Sequence, residues 1–423
     1  MRLKIIFSAL LAVFNLQAQT NDIEEPIRDP RAEAALLAEN VGFQVAGNNA
    51  FSLELYSRLK AKPGNLFVSP YNITATMVMA YAGAGGITKQ EMQSVMRYLA
   101  NTDQLWPVFA VLNKKLSTAW FQGPNESRLV LANSVWVQRD FKLLPDYTNI
   151  LNTYFRNSLR LADFIRNSEG ARLNINGWVK EKTQGRIAEL VAQGEINNTT
   201  RLVLVSSIFM KAVWENAFDT SLTAPGSFFL NTAQSISADM MTRSAEFPYF
   251  ENGSIQVLEL PYRSTNKDEP RFSMLILLPR NGDLSGAEQL LTPGQFDNLT
   301  KALQVKQVIA TIPKFTFSSD FNLNETLQAM GIQSAFSNLA DFTSMTATPV
   351  AIGDVLHKAF VSVDEKGTEA VAATAVTINR TSFVPEEQAM IFKADHPFLF
   401  VIMDQSTGSI LFIGRLMTPL APS

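Results

Sequence analysis

The sequence predicts an α+β protein built around one large domain. Near-continuous apolar runs are typical of strands covered on both faces, and helical patterns are mixed among them without a βαβ rhythm or a fixed repeat. The 423 residues are 46% hydrophobic and 18% charged, which supplies ample apolar surface for a core. No internal linker interrupts the pattern, so we expect a single domain after the N-terminal region.

The first residues have the pattern of a secretory signal peptide. Arg2 and Lys4 precede an apolar stretch at 5–14, and a small residue, Ala18, fits a cleavage site at 1–18. A buried first helix or a membrane anchor is the alternative, but the run is shorter than the ~20 residues of a membrane span. Residues 19–32 are polar and proline-broken, which indicates a tail. We therefore expect a secreted protein without a membrane segment, whose folded domain covers 33–423.

The predicted elements follow from spacing and from start signals. Ser69 followed by Pro70 is a strong helix start, because serine caps the helix and proline fits its first position. Apolar residues at helical spacing predict further helices at 34–58, 88–99, 173–190 and 323–330. Apolar runs predict strands at 66–68, 129–137, 202–213, 255–260, 272–278 and 398–403.

Composition excludes several classes of function. The chain has no cysteine, which rules out disulfides, thiol catalysis and zinc knuckles. The only histidines, His357 and His396, do not form a short-spaced metal pair, and no G-x-S-x-G motif is present, so a hydrolase is disfavoured. The formal net charge of −3, without a basic run, argues against nucleic acid. We expect no metal and no cofactor.

The most unusual segment lies at 365–383. Its alternate positions form one face that is small at first and apolar later, comprising Thr368, Ala370, Ala372, Thr374, Val376 and Ile378. Side chains alternate across a strand, so this order lets the segment become a strand with one face buried. On composition alone, an ordinary strand explains the segment equally well.

Several segments, in order along the chain, together resemble the serpin family. Residues 65–73 are similar to the family's N-x-F-x-S-P-x-S-I segment, and 81–88 to its G-A-x-G-x-T turn. The remaining matches are strand motifs at 205–214 and 312–315, the C-terminal signature at 394–400 and 408–415, and the reactive-loop hinge at 365–373. Each motif is weak alone, but their order and spacing are highly specific.

This resemblance implies a single-domain serpin fold with three β-sheets, about eight to nine helices and an exposed reactive loop at about 365–388. It also implies a mechanism in which a serine protease cleaves the loop, forms an acyl-enzyme, and is trapped when the loop inserts into the main sheet. Insertion requires small side chains on the inward positions and a glycine pivot. The hinge residues implied are Glu365, Gly367, Thr368, Ala370, Ala372 and Ala373. A non-inhibitory carrier or chaperone serpin is the alternative.

The resemblance further implies a buried hydrogen-bonded shutter under the main sheet. The matching positions are Ser69, Asn72, Ser206 and His357. The family pattern has a second serine at position 72 and an asparagine at position 206, so this chain has the amide and the hydroxyl exchanged. A buried polar group without a partner costs about 1 to 3 kcal/mol, so we expect an exchange that preserves pairing.

The target protease depends on the reactive bond. Counting from Glu365, the commonest loop length of the family points to Thr381, and a loop shorter by one residue points to Arg380. We expect Arg380-Thr381, because arginine suits the acidic pocket of a trypsin-like protease. Phe383-Val384 would suit a chymotrypsin-like enzyme, and Thr381-Ser382 is a further alternative. We expect a monomer that forms a covalent complex with a trypsin-like protease. A glycosaminoglycan partner is disfavoured, because Lys114 and Lys115 are the only adjacent basic pair in the relevant region.

Glycosylation is the remaining modification that the sequence indicates. Several N-x-S/T sequons are present, and those at Asn125 and Asn252 lie in polar turns, so we expect glycans there. The sequon at Asn72 belongs to the buried shutter and should stay unmodified. The sequon at Asn379 must also stay unmodified if Arg380 is the reactive residue, because a glycan would obstruct docking.

Overall fold

The structure is a computed structural model, and it describes residues 30–117, 127–156, 158–264, 271–368 and 389–420. Within these residues there are nine α-helices, which are α1 Pro30–Leu59, α2 Pro70–Tyr81, α3 Gly86–Met96, α4 Thr102–Ser117, α5 Pro145–Tyr154, α6 Ser168–Lys182, α7 Leu284–Gln289, α8 Pro293–Lys301 and α9 Asn324–Met330. By its contacts, Glu39–Ser423 forms one compact unit, and Met1–Ala38 forms a second, whose described residues are the start of α1.

The same residues contain fifteen strands. They are β1 Leu66–Val68, β2 Arg128–Gln138, β3 Leu159–Ala162, β4 Leu202–Val213, β5 Ala224–Phe229, β6 Ser235–Glu251, β7 Ile255–Pro261, β8 Phe272–Pro279, β9 Gln304–Pro313, β10 Phe315–Asn322, β11 Asp354–Val363, β12 Gly367–Thr368, β13 Met390–Lys393, β14 Phe398–Asp404 and β15 Ser409–Leu416. The described helices include none that is long and apolar enough to cross a bilayer.

The helix starts follow local chemistry. Ser69 caps α2, and its side chain accepts a hydrogen bond from the backbone N–H of Asn72. The first helix begins at Pro30, inside the segment that the sequence assigns to the tail, because proline suits the first helical turn. The helix predicted at 173–190 instead spans Ser168–Lys182. It ends there because Gln184 and Gly185 adopt left-handed backbone conformations, which stop a helix.

The six-stranded sheet has the order β10-β11-β12-β4-β2-β3. Its central strands, β4 and β11, are parallel and pair directly from Val203 with Asp354 to Ile208 with Ala359. We call this paired stretch the seam. Beyond the seam, the two strands no longer pair with each other, and β12 lies between them.

The nine-stranded sheet has the order β1-β15-β14-β8-β7-β6-β9-β13, with β5 also paired to β6. Strand β6 is 17 residues long, and it pairs with β5 near its start, with β9 along most of its length and with β7 at its end. The three sheets that the resemblance implies are therefore two by hydrogen bonding in the described residues, because β6 runs continuously through two of them.

Both faces of the six-stranded sheet are covered. Helix α2 packs against β2 and β4 on one face. On the opposite face, Ile175 and Val179 of α6 and Val191 of the following segment belong to one apolar cluster with Val203 of β4 and Leu356 of β11. Because Val203 and Leu356 lie on the two strands of the seam, this apolar layer spans the seam.

Candidate functional site

The hinge enters the sheet beyond the end of the seam at which Ile208 pairs with Ala359. Gly367 pairs with Val213, and Thr368 pairs with Ala212 on one side and with Val363 on the other. Two residues of the hinge are thus already a strand, antiparallel to both neighbours. The structure brings Gly367 and Thr368 to the position where a further strand would begin.

Gly367 is required by close backbone approach. A Cβ atom built on it would collide with the carbonyl oxygen of Ala212 and would lie 2.7 Å from the Cα atom of Val213. Backbone atoms cannot give way as a flexible side chain can, so any other residue would push β12 away from β4. Thr368, the next residue, is only 2% exposed, which agrees with an inward-facing position.

Glu365 lies just before β12 and is held by three residues from connecting segments of the chain. Its carboxylate accepts hydrogen bonds from Thr223 at 2.8 Å and from Lys314, which also forms an ion pair with it at 3.1 Å. Its carbonyl accepts from the backbone N–H of Phe218. Burial acts to raise the pKa of this carboxyl, but hydrogen bonds from its own backbone N–H, Thr223 and Lys314 outweigh it and hold the pKa below its usual value.

An aromatic pair supports the hinge from the core. The rings of Trp214 and Tyr262 are stacked with centroids 4.5 Å apart, and the Trp214 indole N–H donates to the carbonyl of Asp364 at 3.0 Å. Trp214, Tyr262 and Lys314 were not among the site residues predicted from the sequence. Trp214 and Lys314 lie within the matched motifs at 205–214 and 312–315, which is the signal that could have identified them.

The four predicted shutter residues lie together at the seam. The Asn72 amide donates to Ser206 Oγ at 3.0 Å, and His357 Nδ1 lies 3.1 Å from Ser206 Oγ and 3.0 Å from the Ser206 carbonyl oxygen. The backbone N–H of Ser69 donates to His357 Nε2, and Ser69 Oγ donates to the carbonyl of Leu411. All four side chains are fully buried.

His357 is neutral, with its proton on Nδ1. Nε2 must carry a lone pair because it accepts from Ser69, so Nδ1 is the nitrogen that donates to Ser206. Burial lowers the pKa of His357 to about 3, and the backbone contact with Ser206 only partly offsets this. A neutral, fully hydrogen-bonded histidine at a strand pair serves to hold β4 and β11 together.

The exchanged amide and hydroxyl do contact each other, through Asn72 and Ser206. The Asn72 Oδ1 atom is buried without a hydrogen-bond partner. Asn133 of β2 pairs directly with Ser206, so its side chain shares the Ser206 face, and its Oδ1 atom is likewise buried and unpartnered. The polar cluster at the seam therefore extends to a third strand, which the sequence analysis did not include.

Other predicted site residues have different positions. The hinge residues Ala370, Ala372 and Ala373, the proposed reactive bond Arg380-Thr381, its alternatives and Asn125 lie outside the described residues. Asn252 is exposed, and its Oδ1 atom accepts backbone hydrogen bonds from Ser254 and Ile255. Among the described residues, no group of three or more histidine or carboxylate side chains is placed to hold a metal.

Comparison with known proteins identifies the family. The family model for serpins, described as serine protease inhibitors, matches residues 46–419. The chain belongs to the serpin family. A serpin-like protein of Thermococcus kodakarensis is 38% identical over 88% of this chain and 84% of its own length. The leukocyte elastase inhibitor of Sus scrofa is 36% identical over 88% of this chain and 99% of its own length.

Solved serpin structures have the same fold. A highly specific serpin of the insect Tenebrio molitor is 26% identical, with a TM-score of 0.77 over 89% of this chain and 98% of its own. Human thyroxine-binding globulin, solved in complex with thyroxine, is 28% identical, with a TM-score of 0.78 over 90% of this chain and 99% of its own. These matches establish the single-domain serpin fold. Relatives of this serpin thus include a protein named as an elastase inhibitor and a protein named as a thyroxine-binding globulin.

Proposed function

We propose that this serpin is secreted and inhibits a trypsin-like serine protease as a suicide substrate. The protease cleaves Arg380-Thr381, remains bound through the carbonyl carbon of Arg380 as an acyl-enzyme, and is carried away when the loop inserts between β4 and β11. Insertion pairs backbone groups and buries the inward face of the loop, which lowers the free energy of the protein. The single observation that carries this proposal is β12, whose two residues already lie between these strands.

The register of β12 supports the choice of reactive bond. If the strand continues in the same register, Ile378 comes opposite Leu202, the first residue of β4. The loop from Gly367 to Ile378 is then as long as β4. Arg380 would extend only two residues beyond the strand, whereas Phe383 would extend five. The shortest overhang holds the acylated protease closest to the far end of the sheet, where crowding can distort its active site.

Incubation with trypsin tests the reactive bond. We expect a complex that resists denaturing electrophoresis and a released fragment whose N-terminal sequence begins at Thr381. The variant Arg380→Ala should lose the complex, while the matched control Phe383→Ala should keep it. Release of a fragment beginning at Val384 or Ser382 would move the bond to one of the alternatives.

The alternative function is a carrier or chaperone serpin, and the similarity to thyroxine-binding globulin favours testing it. Cleavage of the loop separates the two classes. An inhibitor should gain thermal stability after cleavage because the strand inserts, while a carrier that cannot insert should gain little. Since one relative is named for leukocyte elastase, the protein should also be incubated with an elastase in parallel with trypsin.

Secretion is a separate part of the proposal, and it rests on the pattern of residues 1–18. Expression of the full chain in its native host, followed by N-terminal sequencing of the protein in the medium, tests it. A mature N-terminus near Gln19 is expected. Protein retained in the cell with residues 1–18 intact would contradict secretion.

A further inference from the structure

Tyr262 makes a buried hydrogen bond to the hinge. Its phenol oxygen and Thr368 Oγ1 lie 2.6 Å apart, and both side chains are almost fully buried. A buried hydroxyl without a partner is unfavourable, so the two groups depend on each other. Thr368 can satisfy the Tyr262 hydroxyl in this way only while β12 remains in the sheet.

The position of Tyr262 is fixed by the core. Its ring is stacked on Trp214, with which it also forms a β-bridge, and its backbone N–H donates to the carbonyl of Phe272 at 2.9 Å. The next residue donates its backbone N–H to the carbonyl of Val213, the residue opposite Gly367. Ring stacking and backbone hydrogen bonds thus hold Tyr262 in place beside the point where the hinge enters the sheet.

We propose that Tyr262 is a positioning residue for strand insertion, which nucleates the inserted strand by holding Thr368 in register between Ala212 and Val363. This proposal rests on the proposed inhibitory function. The first pairs of a strand carry most of the ordering cost, since they must close the loop and choose a register before later pairs contribute. With Gly367 and Thr368 already paired, the residues that follow can add one pair at a time.

The consequence for the reaction lies in a competition. After cleavage, the acyl-enzyme either is trapped by insertion or is hydrolysed, which releases active protease and wastes the inhibitor. A strand whose first residues are already paired inserts sooner after cleavage, and it therefore favours trapping over hydrolysis. Weakening the contact between Tyr262 and Thr368 should therefore increase the number of inhibitor molecules consumed per protease molecule inhibited, without changing the residue that the protease recognises.

The test uses Tyr262→Phe, Thr368→Val and the double variant, assayed with trypsin for the stoichiometry of inhibition. Tyr262→Phe keeps the ring and its stack on Trp214 but removes the hydroxyl. We expect the stoichiometry to rise about twofold or more in each single variant and to rise no further in the double variant, because each single change already removes the same hydrogen bond. Tyr249→Phe is the matched control, because this buried tyrosine bonds Glu251 and Gln256 away from the hinge.

Hydrogen exchange of the uncleaved protein supplies a readout that needs no protease. Amides of 364–368 should exchange faster in Tyr262→Phe than in the wild type or in Tyr249→Phe, and the double variant should exchange no faster than the single variants. Unchanged exchange and unchanged stoichiometry would overturn the proposal, as would losses that add up in the double variant. A wild-type chain that forms no complex with trypsin would count against the proposed function, while the exchange result would still decide whether Tyr262 anchors the hinge.

Discussion

The Nε2 atom of His357 accepts the backbone N–H of Ser69 at 3.0 Å, which ties the imidazole of a central strand to the start of helix α2. A protonated ring could not accept this bond. The lowered pKa of His357, about 3, means that the unfolded chain binds a proton between about pH 6.5 and pH 3, whereas the folded chain does not. The contribution of this residue to stability is therefore complete above about pH 6.5 and decreases as the pH falls towards 3.

Unfolding in urea at a series of pH values measures this effect. The slope of unfolding free energy against pH should be steeper in the wild type than in His357→Gln, with an integrated difference of at most about 5 kcal/mol between pH 6.5 and 3. His396→Gln controls for the loss of a histidine elsewhere. Parallel slopes in the wild type and His357→Gln would show that the folded protein protonates His357 as readily as the unfolded chain does.

The contact between Asn72 and Ser206 predicts a compensating pair of substitutions. Asn72→Ser shortens the side chain that reaches Ser206 and should cost about 1 to 3 kcal/mol of unfolding free energy. Adding Ser206→Asn returns an amide to the cluster from the other side and should recover much of the loss. Denaturant midpoints of both single variants and the double variant give the coupling energy. Additive losses would contradict a functional exchange of the two groups.

The close approach of Gly367 to β4 predicts that Gly367→Ala impairs insertion. The added methyl group would meet the Ala212 carbonyl, so β12 must leave its register. We expect a variant that trypsin cleaves as a substrate with little trapped complex. The control is Gly177→Ala in α6, where a Cβ atom meets nothing within 4 Å and alanine favours the helix. Efficient inhibition by Gly367→Ala would mean that the pairing of β12 is dispensable.

Continuing the register of β12 predicts a role for Thr374 after cleavage. It would come opposite Ser206 on one side and His357 on the other, and it would separate the two residues that now contact each other. The Thr374 hydroxyl can replace that contact, so Thr374→Val should reduce the stability of the cleaved form by about 1 kcal/mol and leave the uncleaved form unchanged.

Guanidinium unfolding of both forms tests this register. Thr377→Val is the matched control, because residue 377 would come opposite Val203 and Asp354, on the other face of the strand from the side chains of Ser206 and His357. Equal effects of the two substitutions on the cleaved form would indicate a different register.

The sequence predicted those parts of the fold that local pattern determines. Strand β4 was predicted with its observed bounds, because a continuous apolar run buried on both faces leaves no ambiguity. Strand β6 was missed, because many of its residues are exposed and no continuous apolar run marks it. The predicted end of α6 at residue 190 was wrong. Apolar residues such as Ile187 and Leu190 continue the helical pattern in the sequence, but they lie beyond the end of the helix and pack in the apolar layer.

The candidate site shows the same division. Motif resemblance selected the four shutter residues, whose side chains the structure places in contact. The support around Glu365 could not be predicted from spacing, because Thr223, Lys314 and Glu365 are separated by 51 or more positions along the chain and meet only through tertiary packing. Asn133 was missed for a similar reason, since its partner on the adjacent strand is known only from the register.

Under the proposed insertion in the register of β12, the 12 residues of β4 fix the number of loop residues, from Gly367 to Ile378, that can pair with it. Because side chains on a strand alternate, one extra residue in the first half of the loop would move every later side chain to the opposite face of the strand. Polar side chains would then face the interior. Two extra residues would keep the faces but leave the captured enzyme on a longer tether, with more freedom to recover. Selection on this segment therefore acts on its length and parity as well as on its composition, and homologues with altered loop lengths should differ in how long their complexes survive.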